Sequence, residues 1–283
     1  MAHNLQERYS QLVDAKLRAS LVTKENVIFN TKFDGTPTAG AVKIPVRDTE
    51  VGVGTYNPLT GTSLTHGDTA YITAALDNDK AVNELIDGYQ ANAVPDNLIA
   101  DRLDSAGYSV AKTLDVDGLS VLGSVHTATY ATGDPRKDKK ATSKAVSNDV
   151  FSDCVDAGTA LDNAYVPLEG RYVIVSPALY AKLLKDKDNF IKKGDLSQKI
   201  VETGAIGEIA GFTVYRSALL PSGVEAVFGH PEFATRIDEW SVPVHLQDLA
   251  GSGTYIGASA VQGRMIFKHV VTKPQAFYVL TTE

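Results

Sequence analysis

The chain has 283 residues, enough for a sizeable core in one or two domains, and its 43% hydrophobic and 22% charged content is that of a folded protein. No apolar run approaches the ~18–20 residues a membrane helix requires, and the opening Met1–Arg8 lacks the basic-then-apolar pattern of a signal peptide. A net charge of −7 and a pI near 5.4 argue against a dedicated nucleic-acid binder, which carries a basic domain or stripe. The single cysteine, Cys154, permits no intrachain disulfide and fits synthesis in a reducing compartment.

Taken in order, Leu5 to about Ser20 patterns as a short amphipathic helix, with Tyr9, Leu12, Val13, Ala15 and Leu17 on its apolar side. Alone it would be marginal, so it docks on its own core or on a neighbour. From Val27 to Leu76 the texture becomes β-prone. Val27–Phe29, Ala41–Val46, Val51–Tyr56 and Thr69–Thr73 are separated by Asp34-Gly-Thr-Pro37, Asn57-Pro58 and His66-Gly-Asp68, all turn chemistry. Val42, Ile44 and Val46 alternate with Lys43 and Pro45, as in an edge strand with one apolar face. The region is too polar to bury a core by itself. It reads as an extended hairpin projecting from a body, or as an ordinary β-rich lobe.

Asn83–Tyr89 reads as a helical segment, with Val82, Leu85, Ile86 and Tyr89 on one side. A long spine helix follows from about Asp96 to Ser124. Val94-Pro95 precedes it, Asp96 supplies a cap, and Ile99, Leu103, Ala106, Val110 and Leu114 form a stripe. Nearly thirty helical residues would span about 40 Å, longer than a compact domain needs. Asp115-Val-Asp-Gly118 is a candidate bend. Thr127–Ala145 reads as a solvated polar loop, although Arg136, Lys137, Lys139, Lys140 and Lys144 also invite a phosphate-binding reading that Asp134 and Asp138 interrupt.

Ser147–Asp149 caps a further helix with Val150, Phe151, Cys154, Val155, Gly158 and Leu161 on one side, which makes Cys154 a small buried hydrophobe. Arg171–Val175 is a short buried strand, and Ser176-Pro177 starts the next helix. The lysines from Lys182 to Lys199 mark a solvated surface. The glycines of Gly204–Gly211 do not match a nucleotide loop, because the spacing is wrong and a strand, Phe212–Ser217, follows. Val224–Phe228 is another strand. The chain turns back near Val242–Leu246 through the glycine-rich stretch ending at Gly257. It closes with β-prone runs at Arg264–Val271 and Gln275–Thr281.

No catalytic constellation emerges. The six histidines are scattered, H-E-x-x-H and G-x-S-x-G do not occur, and one cysteine excludes a cysteine-rich zinc site. A catalytic set assembled from distant residues stays open but has no positive support in the sequence, so no catalytic residue, cofactor or metal is assigned.

The order of textures is more telling than any motif. The stretches Ala74–Asp87, Tyr165–Tyr180 and Gly207–Ser217 with Leu220-Pro221, in that order around the spine helix, resemble a tailed-phage major capsid protein of the HK97-like fold. The opening Met1–Ser10 resembles the start of siphophage coats. The resemblance covers essentially the whole chain and implies an α+β fold. Residues 1–30 would be an N-arm and 31–79 an extended β-hairpin, the E-loop. Residues 80–124 would hold the spine helix of the P-domain, 125–249 an α/β A-domain, and 250–283 the strands returning to the P-domain.

The implied function is self-assembly as pentamers and hexamers into an icosahedral shell around double-stranded DNA, built in the host cytoplasm and residing in the virion. Implied partners are other copies of the chain, a separate scaffolding protein, a portal, and DNA touched weakly and without sequence preference; no membrane is involved. Candidate intersubunit contacts are Tyr56, Asn57, Leu59 and Lys43. Some relatives cross-link a loop lysine to a neighbour's asparagine; Lys43 has no matching partner set, so no cross-link is expected. The competing readings are an encapsulin-type compartment and a soluble enzyme without a recognisable motif.

Overall fold

The computed structural model describes residues 16–23, 27–35, 40–47, 50–62, 67, 69–93, 98–185, 205–250 and 253–282. Its early elements are β1 (Ala41–Val46), β2 (Ala70–Ala75), β3 (Asn78–Asp87), α1 (Gly88–Ala93) and α2 (Leu98–Gly123). Then come β4 (Thr142–Ala145), α3 (Val150–Asn163), β5 (Tyr172–Val175), α4 (Pro177–Lys185), β6 (Ala205–Ile209) and β7 (Phe212–Arg216). The chain closes with β8 (Val224–Gly229), β9 (Ala234–Asp248), β10 (Ala258–Val271) and β11 (Tyr278–Thr281). Among the described residues β1 and β2 form a hairpin, β3-β10-β9 a three-stranded sheet, and β4-β11-β8-β5-β7-β6 a six-stranded sheet.

The six-stranded sheet holds the main core. All four residues of β5 are buried, as a continuous apolar strand covered on both faces requires. The Asp149 side chain caps α3 by accepting from the Ser152 amide, and the Ser176 hydroxyl caps α4 by accepting from the Leu179 amide at 3.1 Å. The buried stripe of α3 is Val150, Cys154, Ala157 and Leu161, spaced four, three and four. Val155, expected on that face, points to solvent, because Ala157 holds the stripe position instead. Burial pushes the Cys154 thiol up to about 12, as expected of a small hydrophobe. Ala210 and Gly211, at φ 46° and 82°, close the two-residue β6–β7 hairpin. The glycine-rich stretch is therefore strand and turn.

Several expectations are corrected. Asn83–Tyr89 is mostly strand: β3 pairs antiparallel with β10 from Asn78 to Asp87, and only at Gly88 does α1 begin. Val82 and Ile86 pack on the α2 side while Leu85 is half-exposed, so the working period is two. Val242–Leu246 stays within β9, so the chain does not start to turn there, while the glycine-rich stretch from Ala250 to Gly257 does join β9 to β10. Thr142–Ala145 is strand β4, parallel to β11, with the Val146 amide on the Thr281 carbonyl extending the ladder. Val51–Thr55 carries no strand. Residues 16–20 carry no helix either; they run extended beside α2, and residues 5–15 of the expected helix lie outside the described residues, as do Val94–Asn97. The second closing run, β11, sits between β4 and β8 in the six-stranded sheet, apart from β10.

The spine helix spans 26 residues, about 39 Å at 1.5 Å per residue. It is continuous through Asp115–Gly118, where a bend was expected. Its first half packs over the three-stranded sheet: Ala106 is buried against Ile86 and Val261, with Leu98, Ile99 and Leu103 partly buried beside them. Its last turns insert Leu119 and Leu122, both fully buried, into the core of the six-stranded sheet. One helix thus belongs to both bodies.

The basic loop is internally paired where it is best placed for phosphate. Arg136 holds both oxygens of Asp134, donates to the Val271 carbonyl at 3.1 Å and lies over the Tyr130 ring. Lys144 bridges Asp153 at 2.8 Å and Asp156 at 2.7 Å, which raises its pKa. Burial alone would raise Asp153. The Lys144 ammonium and the amide and hydroxyl of Ser147 outweigh it and hold the carboxyl below its ordinary range.

Two predictions follow from this packing. A Cβ on Gly118 would meet the Phe29 ring at 2.8 Å. Gly118→Val should therefore destabilise the subunit by about 1–3 kcal/mol in denaturant unfolding, although glycine is the poorer helix former. Since the folded Asp153 value lies below the unfolded one, its contribution is complete above ~pH 4 and is lost as pH falls through the lower folded value. Lys144→Gln should move the acid-unfolding midpoint upward by about half a pH unit. An unmoved midpoint would mean that the pair does not couple to folding.

Candidate assembly surfaces

Three residues within one turn of α2, Asp115, Asp117 and Gly118, hold the segments on either side of the hairpin. Asp115 Oδ1 accepts from the Val22 amide at 2.9 Å, the Thr23 amide at 2.7 Å and the Thr23 hydroxyl at 2.7 Å. Asp117 Oδ2 meets His269 Nδ1, on β10, at 2.7 Å, while Asp117 Oδ1 accepts from the Asn78 side chain, at the start of β3, at 3.1 Å. Gly118 lets the Phe29 ring lie against the helix, and that ring stacks on His269 with centroids 4.6 Å apart. Asn30, buried, then donates through its side chain to the carbonyls of Pro231 and Glu232 and bridges in parallel to Thr235. Local sequence reasoning saw only a weak point in the helix. The signal present was a pair of acids flanking a glycine inside a long apolar stripe.

From these roots the β1–β2 hairpin projects. Its inward residues Ile44, Val46, Ile72 and Ala74 pack on Ile237 and Val270. Gly35 fits beneath the main chain of Glu239, where a Cβ would lie 3.0 Å away. Lys268–Asp77 and Arg264–Asp79 ion pairs follow the second strand and hold both carboxyls below their ordinary range. A cavity of about 340 Å³ remains at the root, bounded by β2, the end of α2 and β10.

Beyond the root the described residues of the hairpin form no core. Val51 is 85% exposed, Val53 101%, Tyr56 71% and Leu59 94%. Asn57 is engaged in the tip turn: its side chain accepts from the Leu59 amide at 2.9 Å, and its main chain bridges to Gly61. Tyr56, Asn57 and Leu59 thus come together at the tip. Lys43 stands apart, on the exposed face of β1 opposite Thr73.

Leu85, Tyr89, Leu246, Tyr255 and Ile256 are further exposed apolar residues near one end of the three-stranded sheet, with Leu85 and Leu246 on its opposite faces. Among the described residues no group of histidine, cysteine, aspartate and glutamate is arranged to hold a metal ion, and no helix is long and apolar enough to cross a membrane.

A family model described as phage capsid protein matches residues 89–280, about two thirds of the chain. No curated protein matches the sequence. Among solved structures, one from Mycobacterium phage Che8 superposes with a TM-score of 0.72 at 19% identity, covering 98% of this chain and 96% of that one. The capsid structure of cyanophage P-SCSP1u gives 0.77 at 13% identity, covering 98% and 93%. The capsid of a native GTA particle gives 0.66 at 14% identity, covering 98% and 95%. The fold is thus shared almost end to end with capsid structures. The chain belongs to the phage capsid protein family: it is a major capsid protein with the HK97-like fold, a structural component of the virion.

Proposed function

We propose that copies of this chain associate as pentamers and hexamers, and that these tile an icosahedral shell around double-stranded DNA. The role is structural and not enzymatic. The observation that carries this reading is the hairpin tip, where Val51, Val53, Tyr56 and Leu59 are exposed on a segment that buries nothing of its own. Covering such a side chain contributes about 1.5–3 kcal/mol before ordering costs. Supplied by a neighbouring copy and repeated over a closed symmetric assembly, contacts of this size suffice to hold a shell.

Within that shell we assign residues 1–30 to the N-arm and 31–79 to the E-loop. Residues 80–124 form the spine region of the P-domain, 125–249 the A-domain, although its β9 lies in the three-stranded sheet, and 250–283 the return strands, of which β10 joins that sheet and β11 the six-stranded one. Tyr56 and Leu59 are the contact residues of the E-loop. Asn57 shapes the tip turn, and Lys43 contacts a neighbour from the strand. DNA is touched weakly: the net charge is −7, and Arg136 and Lys144 are already engaged by carboxylates. A separate scaffolding protein and a portal complete the assembly.

Tyr56→Asp and Leu59→Asp test the tip. Each should leave subunit stability within about 0.5 kcal/mol in thermal unfolding, because the side chains are already exposed. Each should also lower particle yield by about tenfold or more, as loss of an interface anchor does. Wild-type yield from both variants would contradict the role of the tip.

A further inference from the structure

Residues 16–23 lie along α2 and run in the helix direction. Lys16 Nζ meets both carboxylate oxygens of Asp101 at 2.7 Å. Arg18 pairs with Asp104 and sits over the Tyr108 ring at 4.9 Å. The Ala19 amide donates to the Tyr108 hydroxyl at 2.7 Å, and that hydroxyl donates back to the Ala19 carbonyl at 3.1 Å. Val22 and Thr23 then close on Asp115. The contacts advance fourteen residues on the helix, about 21 Å, for seven on the arm, about 23 Å if extended. The arm is therefore drawn out nearly straight, which is why no helix forms there.

The two halves of this contact differ in kind. In the outer half the Lys16–Asp101 side chains are 33% and 28% exposed, the Arg18–Asp104 side chains 31% and 63%, and Leu17 between the two cations buries nothing. In the inner half Val22 and Asp115 are buried, and Asp115 is bound by amides and a hydroxyl. Ions in solution reach the first set and not the second. Screening shortens from about 10 Å at 0.1 M salt to about 3 Å at 1 M, and exposed pairs weaken accordingly while buried ones do not.

We propose that the arm is a two-stage strap: its outer half, Lys16 to Ala19, unlatches from Asp101, Asp104 and Tyr108 as salt screens the ion pairs, while Val22 and Thr23 stay seated on Asp115. Unlatching frees a cation–leucine–cation segment and uncovers an acidic row on α2. Ionic conditions thereby set whether that segment lies on its own helix or is available to another surface. The inference concerns the single subunit and stands independently of the shell reading.

Residue-resolved hydrogen exchange of the full chain at about 0.05 M and about 1 M NaCl tests it, with Ala19 reporting the outer half and Val22 and Thr23 the inner half. Ala19 should exchange about tenfold faster at high salt, and the inner amides should change less than about twofold. Asp101→Asn combined with Asp104→Asn should give Ala19 the fast rate already at low salt, with protection of the β10 amides reporting an intact fold. A salt-independent Ala19 rate, three amides that open together, or wild-type Ala19 protection in a folded double variant would each overturn the proposal. If the double variant fails to fold, the wild-type salt comparison decides alone.

Discussion

The structure depends on two carboxylates in the middle of a helix, one buried and one half-buried. Asp115 is 1% exposed, and Asp117 is bound to a buried histidine. A carboxylate out of water is tolerated only where hydrogen bonds replace its solvation. Here the donors come from the segment before the hairpin, from the strand after it, and from β10. Hydrogen bonds to Asp115 Oδ1 and to both Asp117 oxygens tie together segments about ninety and about one hundred and fifty residues away in sequence, while Asp115 Oδ2 is buried with no partner among the described residues. The absent side chain at Gly118 is part of the same arrangement, because it admits Phe29 to the helix surface.

With that junction fixed, the chain divides into parts of unequal stability. The six-stranded sheet has a continuous core reaching from Val22 to Leu280, and the last turns of α2 belong to it. The three-stranded sheet is thinner, covered on one side by the first half of α2. The hairpin keeps a small cluster at its root and none at its tip. An exposed apolar excursion on a rigid strut is poor design for a solitary globule and good design for a wall, where the next copy supplies the missing cover.

What was legible in the sequence was what short-range pattern controls. The spine helix, the α3 and α4 caps, the buried β5 and the turn-rich hairpin each carry their own periodicity or end signals. The errors share a cause. Val82, Leu85, Ile86 and Tyr89 satisfy helical spacing, yet β10 offers a ladder fourteen residues long, and pairing with it overrides the local preference. Thr142–Ala145 has no apolar run and becomes a strand because β11 presents an open edge. Asp115–Gly118 reads as a helix flaw, since the partners that make it a junction are distant in sequence. The exposure of Tyr56 and Leu59 was legible because an apolar residue beside Asn57-Pro58 sits in a turn.

The most direct test of the account is electron microscopy with light scattering on the purified full chain, alone and with a co-expressed scaffolding protein. The account predicts uniform closed shells, or free rings of five and six copies, in at least one of the two conditions. A clean monomer in both would contradict it, because the exposed hairpin tip would then have no partner of its own kind.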